Sequence, residues 1–392
     1  MTDVVVLSAA RTPIGAFQGA LAPLAAPQLG AAAIRAAVAR AGLEPGEVDE
    51  VLMGQVVQAG SGQAPARQAA VGAGLPLSVG ATTVNKVCGS GLKAVMLGAQ
   101  AIRSGESEVV VAGGMESMSN APYLLDRARA GYRLGDALLL DALYRDGLVD
   151  PFSGRVMGLC AELCAAEYAV GREAQDAYAL ESYRRARDAI ASGAFAREVV
   201  PVEVPRPKGG AATVDTDEEP GRVDLARVAS LKPAFKPDGT VTPANASKLN
   251  DGAAAVVLAS ERRAAALGRR PLARIVAQAS AAREPEWFTV APADAIRALL
   301  RRVGRHPADV DLYEINEAFA VVAIVVSRLL DLPPERVNVR GGAVALGHPV
   351  GASGARILVT LLHAMADRGA KTGVAAICLG GGEAVALLVE RA

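Results

Sequence analysis

Residues 32–49 read AAIRAAVARAGLEPGEVD, and residues 294–311 read DAIRALLRRVGRHPADVD. Aligned without a gap, nine of the eighteen positions are the same. In both copies apolar residues recur at helical spacing until a Gly (Gly42, Gly304), the residue that closes helices because it tolerates a left-handed backbone. A Pro turn follows (Pro45, Pro307), then Val-Asp and an apolar run, DEVLMGQVV from Asp49 and DLYEINEAF from Asp311. Each copy predicts helix, turn and strand in that order.

A second echo lies further along each copy. VCGSGLKAV (87–95) and VGASGARIL (350–358) share Ser-Gly with a basic residue just after it, Lys93 and Arg356. Both open alanine-rich helical stretches, and strand-like runs rich in Gly follow, EVVVAGG (108–114) and GVAAICLGGG (373–382). Two echoes in one order favour an internal duplication over two unrelated domains. Strands that are apolar without alternation suit a sheet covered by helices on both faces, so the fold class is α/β. The region between differs in composition. Residues 120–248 hold most of the Tyr, a charged helix ending at Gly193 and a Pro/Gly-rich stretch of surface hairpins and loops at 201–222. The expected division is a first half (1–119), an inserted loop domain that returns to the first half (120–248), and a second half (249–392).

Composition bounds the function. With 51% apolar and 21% charged residues over 392 positions, the chain has ample material for a core and is too apolar for disorder. Lys plus Arg equals Asp plus Glu at 41 each, which argues against a broadly basic surface for nucleic acid or anionic lipid. The most apolar run, Ala318–Val326, is far shorter than the ~20 residues of a membrane span. Four Cys make no disulfide framework, and the first residues lack the basic-then-apolar pattern of a secretory leader, so a reducing cytoplasmic setting is expected. Cys160 and Cys164, four apart on a predicted helix, have no His near them in sequence and read as buried thiols; no metal is expected.

Four segments carry candidate chemistry. Cys88, in VNKVCGSGLKAV, sits where a helix begins. There the helix dipole and free N–H groups are expected to lower a thiol pKa and favour a nucleophilic thiolate, the alternative being an ordinary core thiol. His348, in RGGAVALGHPVGASGAR (340–356), lies in a Gly-rich loop at the matching helix entrance; a solvated loop His is the alternative. His306 and His363 read as structural. Cys378, in AAICLGGGEA (375–384), ends a strand, where ligand sites of α/β sheets gather, and Gly380–Gly382 offer free backbone N–H groups for an anion. Asn316 and Glu317 break the apolar run of the second copy where the first has Gly54-Gln55, a burial cost unless the pair is satisfied or used. If the halves pair about a pseudo-twofold axis, Cys88, His348 and Cys378 meet.

VNKVCGSGLKAV, NASKLNDGAA (245–254), NEAFA (316–320), NVRGGAVALGHPVGASGAR (338–356) and CLGGG (378–382) resemble, in order and spacing, the motifs of the thiolase family. The resemblance runs along essentially the whole chain and is greatest to its short-chain, biosynthetic acetyl-CoA C-acetyltransferases. It implies a five-layered αβαβα fold of two duplicated halves with an inserted loop domain. It also implies reversible Claisen condensation of two acetyl-CoA through an acyl-cysteine. By resemblance, Cys88 is the nucleophile, His348 takes its proton and later steadies the thioester oxyanion, and Cys378 is the second acid/base. Asn316 would hold a water of one oxyanion hole, and the N–H groups of Cys88 and Gly380 would form the other. Leu148, Met157, Phe235, Ala246, Ser247, Ala318 and Phe319 would line the coenzyme A site, with Arg222 a partner for the nucleotide phosphates. Phe288 would line the acyl pocket, as in relatives that also accept a 2-methyl branch. No cofactor is implied, since coenzyme A thioesters are substrates, and a homo-oligomer, dimer or tetramer, is implied, with the strand near Val109–Gly114 as a candidate contact. Val156, Arg340 and Ala384 depart from the common pattern. The alternatives are a degradative 3-ketoacyl-CoA thiolase of fatty-acid β-oxidation, a fatty-acid condensing enzyme, which generally lacks the second Cys, and a non-catalytic relative, which would have lost Cys88, His348 or Cys378.

Overall fold

The duplicated stretch folds twice in the same way. In the computed structural model, which describes residues 2–207 and 209–392, helix α1 (Ala26–Ala41) ends on Gly42 at φ 65°, and helix α6 (Ala291–Arg302) runs out to Gly304 at φ 64°. Single 3-10 turns follow at Pro45–Glu47 and Pro307–Asp309. Strands β2 (Glu50–Gly54) and β7 (Leu312–Ile315) come next. The repeated Asp does one job in both halves. Asp49 Oδ2 accepts the N–H groups of Glu108 and Val109, both at 2.8 Å, and Asp311 Oδ2 those of Lys371 and Thr372 at 2.8 and 2.9 Å. Each Asp thus pins the start of the parallel neighbour of its own strand.

Those neighbours are β4 (Val109–Ser117) and β8 (Thr372–Leu379). With β1 (Val4–Arg11), β3 (Gly80–Val84), β5 (Asn250–Ser260), β6 (Ala273–Ala282) and β9 (Glu383–Arg391), the strand order is β7-β8-β9-β6-β1-β5-β4-β2-β3. From the β6–β1 seam outward, the order reads the same way in each direction. The seam is thin: only Val5↔Arg274 and Val6↔Ala273 pair across it. Val337 adds a parallel bridge to Tyr313, in the place β3 holds beside β2. Residues 250–260 therefore fold in the first half, between β1 and β4. A division at 249 puts them in the wrong half, because a return strand that closes one sheet is adjacent in sequence to the other. Val109–Gly114 is paired on both edges inside the sheet, so it is no subunit contact.

Helices fill three layers around the strands. Val109 and Val111 pack on α1 and α2 (Pro65–Gly72), while Val110 and Ala112 pack on α3 (Ser90–Ser104) and α8 (Val350–Arg368). The same central helices meet Ala375, Ile377, Val385 and Leu387 of the second half. The opposite faces, Val374, Ala376 and Leu388, pack on α6 and α7 (Ala320–Leu330). That is αβαβα, and it explains why the strands are apolar at every position rather than every second one. From the inserted region, α4 (Met157–Glu167) packs on the second half, with Cys160 and Cys164 as buried thiols. The charged helix is α5 (Arg172–Ala191), and a hairpin of Val202–Pro205 with Ala211–Val214 lies in the stretch read as surface hairpins and loops. No helix among the described residues is long and apolar enough to cross a membrane.

Candidate active site

Cys88 lies on the turn between β3 and α3. Val87 before it has φ 44°, a costly backbone for a β-branched residue. Ser90 braces the turn: its Oγ accepts Lys86 N–H at 2.8 Å and donates to the Val87 carbonyl at 2.6 Å. Gly91 lets the two central helices touch, since a Cβ there would sit 2.8 Å from Ala355 N. The entrances of α3 and α8 are thereby brought side by side.

His348 precedes α8, after Gly347 at φ 109°. Its N–H donates to Asn250 Oδ1 at 2.9 Å, which fixes the loop to β5. The ring is buried, with Nδ1 2.6 Å from Ser353 Oγ. That hydroxyl already donates to the Pro349 carbonyl at 2.9 Å. It must therefore accept from His348, so Nδ1 carries the proton and Nε2 the lone pair. Nε2 is buried with no hydrogen-bond partner among the described residues. Burial first, and then the charge of Arg356, lower its pKa from 6.5 to about 3. Because the shift is downward, the ring stays neutral, with its basic nitrogen free, throughout the neutral range.

Cys378 ends β8 and is buried; burial, and then the nearby Cys88, raise its pKa. Cys88 itself is pushed up to about 12 by burial, with the backbone N–H groups of Gly380 and of Cys88 pulling the other way. At partly buried Cys88 the helix entrance and its N–H groups favour the thiolate as expected, and burial opposes them and raises the thiol. At rest the site holds two thiols and a neutral imidazole. Buried Glu116, raised to about 8 mainly by burial, accepts Val56 and Gly351 N–H groups at 2.9 Å and so ties the exit of β2 to the first turn of α8.

Cys88, His348, Cys378 and Gly380 line one cavity of about 60 Å³ with Leu148, Met157, Ser247, Phe288, Ala318 and Phe319. Leu148, Met157, Ser247, Phe319 and His348 also line a second cavity of about 170 Å³, where Phe235, Ala246 and Val156 stand. Ser247 is held at the junction because its N–H donates to the Ala318 carbonyl at 3.0 Å. Phe319 lies edge-on to Phe235 and Phe288, with ring centroids 6.1 and 6.5 Å apart. The result is a narrow apolar passage ending at two sulfurs and an imidazole. A larger cavity of about 400 Å³, between α5 and α7, contains none of these groups.

Family comparison agrees with this geometry along the chain. A family model described as "Thiolase, N-terminal domain" matches residues 4–262, and one described as "Thiolase, C-terminal domain" matches residues 269–391. The chain belongs to the thiolase family. An acetyl-CoA acetyltransferase of Cupriavidus necator is 54% identical over 392 residues, covering all of both chains. One of Schizosaccharomyces pombe is 52% identical over 391 residues, covering 100% of this chain and 99% of the relative. A thiolase from Ascaris suum, solved in complex with coenzyme A, superposes with a TM-score of 0.94 at 47% identity over the full length of both chains.

Two expected site residues of this thiolase stand outside the passage. Arg222 is largely exposed, 3.8 Å from Glu218, and lines neither cavity. It sits on a short helical turn whose path sequence spacing does not fix. Asn316 is fully buried at the end of β7, and among the described residues neither its side-chain oxygen nor its nitrogen has a hydrogen-bond partner. Its neighbour Glu317 accepts from Tyr178 and Ser182 at 2.8 Å, Asn338 at 3.0 Å and Val344 N–H at 3.1 Å. The polar pair thus divides into one satisfied brace and one orphan. Arg340, a departure from the family pattern, is a buried cross-brace to Glu198 and Asp367. Ser353, Asn250 and Glu116 were not singled out as site residues. A polar residue ending a Val-rich strand was the available signal for Glu116, and a hydroxyl five residues after a loop His was the signal for Ser353.

Proposed function

We propose that this thiolase is an acetyl-CoA C-acetyltransferase that condenses two acetyl-CoA to acetoacetyl-CoA and coenzyme A, and runs the reverse thiolysis. The observation that carries the reading is the free Nε2 of His348 in one small cavity with Cys88 and Cys378, under the N–H groups of Gly380 and Cys88. His348 Nε2 takes the Cys88 proton as the sulfur attacks the thioester carbonyl. The carbonyl oxygen draws on the Cys88 and Gly380 N–H groups; one such donor is typically worth ~3 kcal/mol. The departing coenzyme A thiolate takes the Cys378 proton, leaving acetyl-Cys88, an imidazolium and a Cys378 thiolate. That thiolate removes a methyl proton from the second acetyl-CoA. The enolate oxygen is held by His348 Nε2–H and by a water on Asn316, whose orphaned amide such a water satisfies. The enolate carbon attacks acetyl-Cys88, the carbon–sulfur bond breaks, and the Cys88 thiolate recovers its proton from His348. Both thiols therefore end protonated, as they began.

The cavity beside Cys88 has room for only a few waters, which favours a two-carbon acyl group over the long chains of a degradative enzyme. Buried Phe288 closes its inner wall. The passage of Met157, Phe235, Ala246, Ser247 and Phe319 suits the pantetheine arm, which is mostly apolar with a few amides. The reading extends to a cytoplasmic homo-oligomer, dimer or tetramer, acting in lipid metabolism. The open outer edge of β3 and the exposed Leu134, Leu138 and Leu139 support a further contact surface. Acetoacetyl-CoA plus coenzyme A should be consumed with loss of the absorbance of the β-keto thioester enolate, and longer 3-ketoacyl thioesters should react more slowly. An inactive wild type, or a faster reaction on long chains, overturns the reading. Branched 2-methylacetoacetyl-CoA tests Phe288 directly, and no detectable turnover would remove that extension.

A further inference from the structure

Lys248 stands on the wall of the outer cavity, one residue after Ser247. Its ammonium donates to three oxygens: the Tyr183 hydroxyl of α5, the Ala246 carbonyl at 3.0 Å and the Val344 carbonyl at 2.9 Å. It also lies 5.0 Å from the Tyr183 ring centroid. An ammonium has three hydrogens, and all three are engaged by the protein, so none remains for a ligand. Among the described residues no carboxylate hydrogen-bonds it. Burial lowers its pKa to about 8, and the charges of Glu219 and Glu317 act against that fall. Below that value it is a charged cross-link.

The elements it joins are informative. Ala246 leads into Ser247, at the junction of the two cavities. Val344 lies in the helical turn Ala343–Leu346, which leads through Gly347 to His348. Tyr183 anchors both to the inserted helix. We propose that Lys248 is a positioning residue: an internal cation that holds the His348 loop at a fixed distance from the Ser247 wall and so keeps Nε2 facing the cavity that Cys88 lines. This rests on the acyl-transfer reading above. A wild type without thiolysis would defeat that reading, whereas an active wild type with an unaffected Lys248 variant defeats this inference alone.

Lys248→Met keeps an unbranched side chain one atom shorter and removes the charge. The expected result is a kcat about 30-fold lower per acetylatable Cys88, on the scale of one lost charged hydrogen bond, with KM changed less than about threefold. Alkylation of Cys88 by iodoacetamide, measured without any thioester, should slow in parallel, because His348 no longer meets the thiol. In Lys248→Ala, methylammonium should restore part of both rates by re-entering the oxygen cage, and should leave the wild type unchanged. Unchanged kcat and alkylation in Lys248→Met would overturn the proposal, as would a loss confined to thermal stability or an absence of any methylammonium effect.

Discussion

The entrances of α3 and α8 occupy equivalent places in the two halves, yet they carry opposite chemistry. The first presents a sulfur, Cys88, under the N–H groups of Gly380 and of its own backbone. The second presents a base, His348, whose proton is fixed on Nδ1 by Ser353. The strand exits beside them differ in the same sense. Gly54 in the first half is small because a Cβ there would sit 2.6 Å from Gly91 N, so it makes room for α3. Asn316 in the second half supplies an amide in that place, while Gln55 and Glu317 after them are buried polar groups in both halves. The matching Asp49 and Asp311, by contrast, do identical work at the far ends of the strands. The scaffold end of the repeat is held in common, and the catalytic end has diverged.

Breaking the divergent end should cost most. Cys88→Ser removes the nucleophilic sulfur and should lower kcat by on the order of 10⁴-fold or more, whereas His348→Ala should cost about 10²–10⁴-fold, the range of a lost general base. Steady-state thiolysis rates check both, and a Cys88→Ser variant as active as wild type would refute the assignment. Ser353→Ala tests whether the tautomer matters. Losing the Nδ1 partner should lower kcat/KM about tenfold with the fold intact. In the wild type, the downward shift of His348 means that any acid limb it sets lies below its ordinary 6.5. A pH–rate profile with a limb at or above 6.5, assigned to His348 by its disappearance in His348→Ala, would contradict this. The smallest effects belong to the common end. Asp49→Ala and Asp311→Ala should each lower stability by about 1 kcal/mol, to similar extents, with kcat per folded molecule unchanged. Denaturant unfolding of the two variants measures this, and a loss of kcat in only one would break the symmetry.

Much of this was legible in sequence because the repeat writes it twice. The helix–turn–strand unit and its glycines are local signals, and two copies in register imply two matching sheets. Cys88, His348 and Cys378 stood out because reactive side chains sat among glycines where an α/β sheet places its ligands. The misplaced half boundary came from β5, which pairs with β1 across more than two hundred residues of sequence. Thiol acidity was only half legible for a related reason: the helix entrance is visible locally, but the groups packed around Cys88 come from the inserted region and the second half, Leu148, Met157, His348 and Cys378 among them. Arg222 followed a loop whose course spacing cannot give. Lys248 and Asn250 lie in a quoted motif, but their roles are not legible there because their partners, Val344 and His348, are distant in sequence.

The central claim is that Cys88, alone among the four thiols, carries the acyl group. Intact mass and peptide mapping after incubation with acetyl-CoA alone test it directly. The account predicts one acetyl group per chain, on the peptide containing Cys88, discharged when coenzyme A is added. An acetyl group on Cys378 or elsewhere, or none on an enzyme that still turns over, would contradict it.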